Sequence, residues 1–355
     1  MSIKAFLNKQ RVHWMSASGP ESDVVITSRV RLARNLTGIP FPHLMDESAA
    51  LTVMRSVERA LAGGQGTIVE GLQLVPMSHL NPVERRMLVE RHLISPEFAE
   101  SGTELRGVAV DEQGALAIMV NEEDHLRIQC ILSGLQLRQA YAWAEQADNA
   151  LEQTLDYAFD EKRGYLTACP TNVGTGMRAS VMLHLPATAL TNQASPMFQS
   201  ISQLGLTVRG MYGEGSEAAG RLYQISNQVT LGLSEEEIIA NLGTVVAQIV
   251  EQERLLRSRL MQEARLQLED KVLRAFGVLT HARMVSSAEA LSLLSDVRLG
   301  IDLGIVPPAE APTLNELMVA IGPAHLQQAA GRELGALERD LKRAEVIRSR
   351  LTGTR

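Results

Sequence analysis

The stretch ELRGVAVDEQGALAIMV, Glu104 to Val120, decides the fold. Two apolar runs flank DEQG, and Asp111 to Gly114 supply the polar residues and the glycine of a tight turn, so the segment predicts a β-hairpin. LRIQCIL follows at once as a third strand. A helical stretch is predicted from about Gly134 to Phe159, and then GYLTACP, MRASVMLHLP, LTVRGMY and RLYQISN read as further short strands. Short strands joined by turns, with only occasional long helices from about Asp23 to Asn227, predict an α+β fold. Its sheet is mainly antiparallel and flanked by helices, rather than doubly wound and parallel.

The texture changes at Ser234. SEEEIIANLGTVVAQIVEQERLLRSRLMQEARLQLEDKVLRAF opens with a serine cap followed by acids and then keeps helical periodicity. Further helices are expected after it, interrupted by the loop LGIVPPAEAPT. We expect a first domain over residues 1–260 and an all-α domain over 261–355, with the change near Leu260.

Composition bounds the function. A chain of 355 residues, 45% hydrophobic, with both charge signs spread along it, is long enough for two domains. A formal net charge of −7 argues against general nucleic-acid binding. No apolar run is long enough to cross a bilayer and MSIKAFLNKQ lacks the core of a signal peptide, so a cytoplasmic protein is expected. Cys130 and Cys169 are too few for a disulfide framework and have no metal-ligand spacing. Cys130, within IQCIL, and His184, in an apolar strand, read as core residues, and Trp14 and Trp143 show no stacking partner in the sequence.

The arginines carry the first chemical signal. In VVITSRVRLARN, Arg29 and Arg31 stand two apart and share a strand face. Such a pair alone is as well explained by a solvated face. Arg127 in NEEDHLR, Arg178 after the glycine-rich GTG and Arg209 in RGMYGE add guanidinium groups at strand ends and turns. That set suits a polyphosphate, because guanidinium forks bind phosphate oxygens bidentately and stay charged. The sequence has no GxxxxGK[ST], and GTGMRAS lacks the third glycine of a dinucleotide loop. Carboxylates complete the pattern: NEED, Asn121 to Asp124, beside Arg127, and Glu214 between two glycines. NEED alone would read as a solvated turn.

Taken in order, TSRVR, NEEDHLR, CPTNVGTGMRAS, VRGMYGEGSEAAG and YQISNQVTLG resemble the phosphagen (guanidino) kinases over roughly residues 23 to 250. The resemblance implies transfer of a phosphoryl group from ATP, with Mg²⁺, to a guanidinium nitrogen. It implies that Glu122 and Glu214 clamp the guanidinium and that one of them takes its proton; the choice of Glu122 over Glu123 rests on the resemblance alone. It places Cys169 beside the substrate guanidinium. It assigns Arg29, Arg31, Arg127, Arg178 and Arg209 to the phosphates, His92 against the nucleotide, and Ser28, Val30, Ala179, Ser180 and Gly210 around it. No metal-binding side chains are implied.

Departures narrow the expectation. TSRVR begins near residue 27, so the helical domain that precedes the catalytic one in enzymes of free arginine or creatine is expected to be absent, and a helical domain is added behind. Both features resemble the family's bacterial branch that phosphorylates arginine in proteins. That branch implies a phosphoarginine-binding pocket at RDLKRA, with Arg339, Asp340, Arg343 and Ala344, although spacing alone would read these residues as an exposed helix with ordinary ion pairs. It also implies a homodimer, an activating zinc-binding protein, a heat-shock repressor and a Clp unfoldase as partners, with phosphoarginine as a degradation mark. A kinase of free arginine or another small guanidine, or a silent protein-binding adaptor, are the competing readings.

Overall fold

The computed structural model describes residues 3–100, 103–210, 219–306 and 311–352. The expected hairpin is present. Strands β3 (Gly107–Val110) and β4 (Leu116–Val120) pair antiparallel, and Asp111 closes the turn by accepting from the Leu116 and Gln113 amides at 2.8 and 3.1 Å. In sequence order the other strands are β1 (Val25–Arg34), β2 (Val75–Pro76), β5 (Leu126–Ser133), β6 (Phe159–Asp160), β7 (Gly164–Tyr165), β8 (Met177–His184), β9 (Leu206–Gly210) and β10 (Leu222–Asn227). The described residues form an eight-stranded sheet in the order β2-β3-β4-β5-β1-β8-β10-β9, antiparallel at every pairing. GYLTACP is the exception to the reading above: only its first two residues are strand, paired with β6 outside the main sheet.

Period-two alternation sorts the sheet's side chains onto two faces. Val30 and Leu32 of β1, Ile128 and Cys130 of β5, and Ala179 and Val181 of β8 point to one side. There they pack against the helices Glu47–Ala62, Leu137–Glu152 and Glu235–Glu263 in one core. A register shift in β1 between Val25 and Thr27 exchanges faces, so Ile26 joins the second core on the other side. That second core, with Trp14, Met77, Leu88, Phe98, Met119 and Met182, covers only part of its face. The rest holds polar and charged residues, and that is where the cavity lies.

The helix predicted after Ser234 starts with a full capping box: the Ser234 hydroxyl accepts from the Glu237 amide (3.3 Å) and the Glu237 carboxylate accepts from the Ser234 amide (2.8 Å). It runs unbroken past Leu260 to Glu263, and the helical path is interrupted at Ala264 (φ −138°). The helices Arg265–His281, Ser287–Asp302, Ala311–Ala320 and Ala336–Thr352 then share a core of their own. The helix Pro323–Ala330 instead lies against the helix Pro82–Glu90, which follows β2. No described helix is long and apolar enough to cross a membrane.

Candidate active site

On the uncovered sheet face the register aligns the arginines. Arg31 of β1 stands opposite Gln129 of β5 and Arg178 of β8, Arg29 stands opposite Ser180, and Ala33 opposite Arg127. Arg29, Arg31, Arg127 and Arg209 line one cavity of about 1640 Å³ together with His92, Glu122, Glu123, Gln129, Gly210 and Gln224. Arg29 donates to Gln224 (2.5 Å) and to Ser180 (3.4 Å), and Arg178 donates to Ser226 (3.2 Å). Burial pulls the Arg29 guanidinium down to about 10, helped by the charges of Arg127 and Arg178. Arg31 is lowered further by burial and then by Arg29, Arg127 and Arg178. Massed cations in a buried place are costly unless an anion neutralises them. The Arg31 Nε donor is buried without a hydrogen-bond partner among the described residues, as a bed for phosphate oxygens would leave it.

NEED is no solvated turn. Asn121 turns the chain in the left-handed region (φ 62°) while its side-chain amide donates to the Ala50 and Leu105 carbonyls. Glu122 points into the cavity, held by Arg127 (2.7 Å) and by the Ser95 hydroxyl (2.6 Å). Burial pushes its carboxyl up, but Arg127 and the hydrogen bonds from Ser95, Arg127 and the Glu123 amide outweigh this and hold it at about 2. Glu123 goes the other way, raised by burial and by the charges of Asp124 and Glu122. Neighbouring carboxylates on one turn are thus pushed apart in acidity.

Asp124 is buried and ties the turn to the cysteine loop. Its Oδ1 accepts from the Asn35 side chain (2.6 Å) and the Ala168 amide (2.7 Å). Asn35 in turn accepts from the His125 amide, so the end of β1, the NEED turn and the segment before Cys169 are fixed together. Cys169 is half-exposed, its Sγ 3.0 Å from the Thr171 hydroxyl, and lies beside the carboxylate turn rather than in the lining of the large cavity. The loop after it needs its glycines. Gly174 (φ 114°) and Gly176 (φ 63°) have left-handed backbones, and a Cβ would come within 2.4 Å of the Thr230 carbonyl and 2.6 Å of Arg34, respectively.

His92 lines the cavity with its ring against Trp14 (centroids 5.4 Å), and burial together with Arg29 pulls its imidazole down to about 4. A neutral, flat ring results. The sequence showed no partner for either tryptophan; Trp14 has His92, and Trp143 meets His13 edge-on at 6.0 Å. Cys130 is core, as read. His184 is buried too, but its Nε2 meets the Ser295 hydroxyl (2.8 Å), joining β8 to the helical region.

Other expected residues separate. The side chains of Val30 and Ala179 face the helix-side core, away from the cavity. Ser28 is buried and fastens the turn after β5, donating to the Gly134 carbonyl and accepting from the Gln136 amide. The pleat turns the side chains of these three away from the cavity, so only their backbone can face it. Glu214 lies outside the described residues. Of the C-terminal residues, Arg339 lines the same large cavity, Asp340 pairs with Arg343, and Ala344 is in the helical core. The Arg343 guanidinium is buried and donates to the Ile321 and Val285 carbonyls, which ties three helical segments together.

Sequence reading passed over Ser95, Arg106, Gln129 and Gln224. Gln129 was findable by alternation, since it sits two residues from Arg127, whereas Gln224 is brought in by strand pairing, opposite Arg209. Ser95 and Arg106, which donates to the Asn121 carbonyl (3.0 Å), reach the turn only through tertiary packing. No cluster of three or more His, Cys, Asp or Glu side chains able to hold a metal occurs among the described residues.

Comparison with known proteins agrees with this geometry. Residues 52–256 match the ATP:guanido phosphotransferase C-terminal catalytic domain, and residues 265–355 match the protein-arginine kinase McsB C-terminal domain. A protein-arginine kinase of Syntrophomonas wolfei is 53% identical over 352 residues, 99% of this chain and 98% of that one. One of Moorella thermoacetica is 54% identical over 341 residues, 96% and 97% of the two chains. Among solved structures, a lombricine kinase superposes with a TM-score of 0.59 at 25% identity, covering 71% of each chain. A duplicated taurocyamine kinase from Schistosoma mansoni, with bound transition-state analogue components, gives 0.60 at 27% identity over 70% of this chain and 35% of that one. The chain belongs to the ATP:guanido phosphotransferases, ATP-using kinases of guanidino groups, in the branch that carries the protein-arginine kinase C-terminal domain.

Proposed function

We propose that the protein transfers the γ-phosphoryl group of ATP to the guanidinium of arginine side chains in proteins. The observation that carries this reading is the single cavity in which Arg29, Arg31, Arg127 and Arg209 adjoin Glu122 and Glu123. A P–N bond forms at one guanidinium nitrogen, the bond from the γ-phosphorus to the bridging oxygen of ADP breaks, and the nitrogen's proton passes to a carboxylate. With little covalent chemistry for the protein to do, catalysis is alignment and electrostatics. The arginines hold the phosphates and offset charge in the transition state. Glu122, ionised at any working pH, orients the guanidinium and is the base we assign, with Glu214 as the second clamp. Cys169 sits beside the same group, and neutral His92 offers a face to the base. Mg²⁺, bound together with the nucleotide, would supply further charge neutralisation.

Arg339, Asp340, Arg343 and Ala344 are proposed as a regulatory phosphoarginine pocket. Arg339 and the Asp340 carboxylate are the accessible members, and Arg343 holds Asp340 in place. Degradation by a Clp protease, relief of heat-shock repression, an activating zinc-binding protein, a homodimer and a cytoplasmic location are part of the same proposal, by kinship. The test is mass spectrometry of an unfolded protein after incubation with Mg·ATP, in neutral conditions that spare the P–N bond, beside free arginine. Phosphoarginine on the protein supports the reading; turnover of free arginine alone overturns it.

A further inference from the structure

The cavity exceeds what the transfer itself needs. Small-ligand sites usually enclose about 300–1,000 Å³, and this one holds about 1640 Å³. Part of its boundary is formed by Val83 and Arg86 of the helix Pro82–Glu90 and by Gln327, Gln328 and Arg332 at the end of the helix Pro323–Ala330. These two helices make one fixed wall. The Glu90 carboxylate accepts from the Ala324 amide (2.7 Å) and the His325 amide (3.1 Å), and it meets His325 Nδ1 at 2.5 Å. Arg91 donates to the other ring nitrogen of His325 (3.2 Å), and a Cβ on Gly322 would collide with the Glu90 carboxylate.

The wall's chemistry is specific in kind. The Gln328 amide offers donors and an acceptor together, the complement of a peptide unit's C=O and N–H, while Gln327, whose Oε1 accepts from the Leu334 amide (3.4 Å), offers its NH₂ donors. Its charges are mixed in sign: Arg86, Arg106, Arg332 and Arg339 lie with Glu90, Glu97 and Glu333 around the same cavity. The cavity continues past Ser95 and Glu97 to Glu122. We propose that this wall is an acceptor channel. It holds an extended, unfolded stretch of polypeptide on either side of the target arginine, reading main chain rather than flanking sequence. The inference rests on the protein-arginine reading above and names what that site selects.

The test compares an unfolded protein with N-acetyl-arginine amide as acceptors, each with Mg·ATP. Gln328 is exposed on its helix, so Gln328→Trp intrudes on the channel at little risk to folding, and Gln327→Ala/Gln328→Ala removes the amides. The ratio of kcat/KM for polypeptide over the small acceptor is expected to fall at least about 10-fold in Gln328→Trp, carried by KM for the polypeptide. A smaller fall in the same direction is expected in the double variant. Peptides with acidic or basic flanks should differ by no more than a few fold in the parent. An unchanged ratio, equal losses on both acceptors, or a strong flanking-charge preference overturns the channel. A parent that phosphorylates only the small acceptor overturns the protein-arginine reading and the channel with it; a parent active on both separates the two questions.

Discussion

Replacing Glu122 by glutamine isolates the charge at the centre of the site. The amide keeps an oxygen for the Ser95 hydroxyl, so the side chain has a reason to stay where it is, but it can neither neutralise a guanidinium nor accept its proton. Two opposite charges about 4 Å apart interact by roughly 4 kcal/mol at the effective dielectric of such sites, and a positioned base contributes about 10²- to 10⁴-fold. We expect turnover to fall by on the order of 100-fold or more, about 2.7 kcal/mol in the barrier. Nucleotide affinity should hold within a few fold, because the variant leaves the arginine bed intact and frees Arg127 from its 2.7 Å ion pair. The measurements are phosphoarginine formed per minute by neutral-pH mass spectrometry and ADP binding by calorimetry. Near-normal turnover with intact binding would refute the assignment and move the role to Glu123.

The acidity of Glu122 adds a second, independent readout. Its carboxyl is held at about 2 in the folded protein against 4.5 ordinarily. A depressed acid stabilises the fold above its unfolded value, and the contribution is lost as pH falls from about 4.5 toward about 2, amounting to roughly 3 kcal/mol in full. The difference in melting temperature between parent and Glu122→Gln should therefore be constant from pH 8 to 5 and shrink below that. Glu122 itself produces no acid limb in kcat/KM at accessible pH. An acid limb above the ordinary carboxylate range would point to Glu123, whose carboxyl is raised.

Arg178→Ala should weaken ATP affinity and turnover together, since a phosphate contact exists in ground and transition states alike; a change confined to peptide binding would disprove the assignment. Asp124→Ala should cost about 1–3 kcal/mol of stability and at least about 10-fold in turnover by releasing the Cys169 segment, whereas Asp124→Asn, which keeps Oδ1, should lose little; calorimetry and the kinase assay together decide. A thiol reagent under native conditions should label Cys169 and spare Cys130, which is buried and whose thiol burial pushes up; peptide mapping would show otherwise. Asp340→Ala should preserve basal turnover on an unfolded substrate and abolish stimulation by added phosphoarginine, and equal responses in parent and variant would leave the tail as an ordinary helix.

What the sequence disclosed and what it hid divide along a physical line. Alternation put Arg29 and Arg31 on one face, the DEQG turn set the antiparallel pairing, and the Ser234 box began the long helix, because each is a local regularity. Motif reading placed Val30 and Ala179 at the nucleotide, yet the same alternation that serves the arginines turns these two side chains into the opposite core. GYLTACP looked like a strand, but Gly174 folds the chain back so that Tyr165 bridges to it, leaving little length to pair. The burial of Asp124 depends on Asn35 and Ala168, and the Glu90–His325 clamp joins residues far apart in the chain. Such partners are brought together by topology, and no local period announces them.

That clamp belongs to a wider junction whose chemistry bears on regulation. Arg298 is buried and donates to Asn315 (2.8 Å) and to the Ser22 carbonyl (2.7 Å), Arg221 pairs with Asp296 (2.6 Å), and Arg257 bonds to both Glu253 (2.9 Å) and Asp302 (3.1 Å). Buried charges contribute little net stability, but removing one partner costs about 3–5 kcal/mol. A junction built this way tolerates few relative placements of the helical region and the sheet. It therefore fixes Arg339 on the wall of the same cavity that holds Glu122 and the arginine bed. A ligand at Arg339 need not send a signal across the protein. It would change the shape and charge of the volume we propose for the acceptor, and a coupling of about 1–3 kcal/mol, typical between linked sites, is within reach of one shared wall.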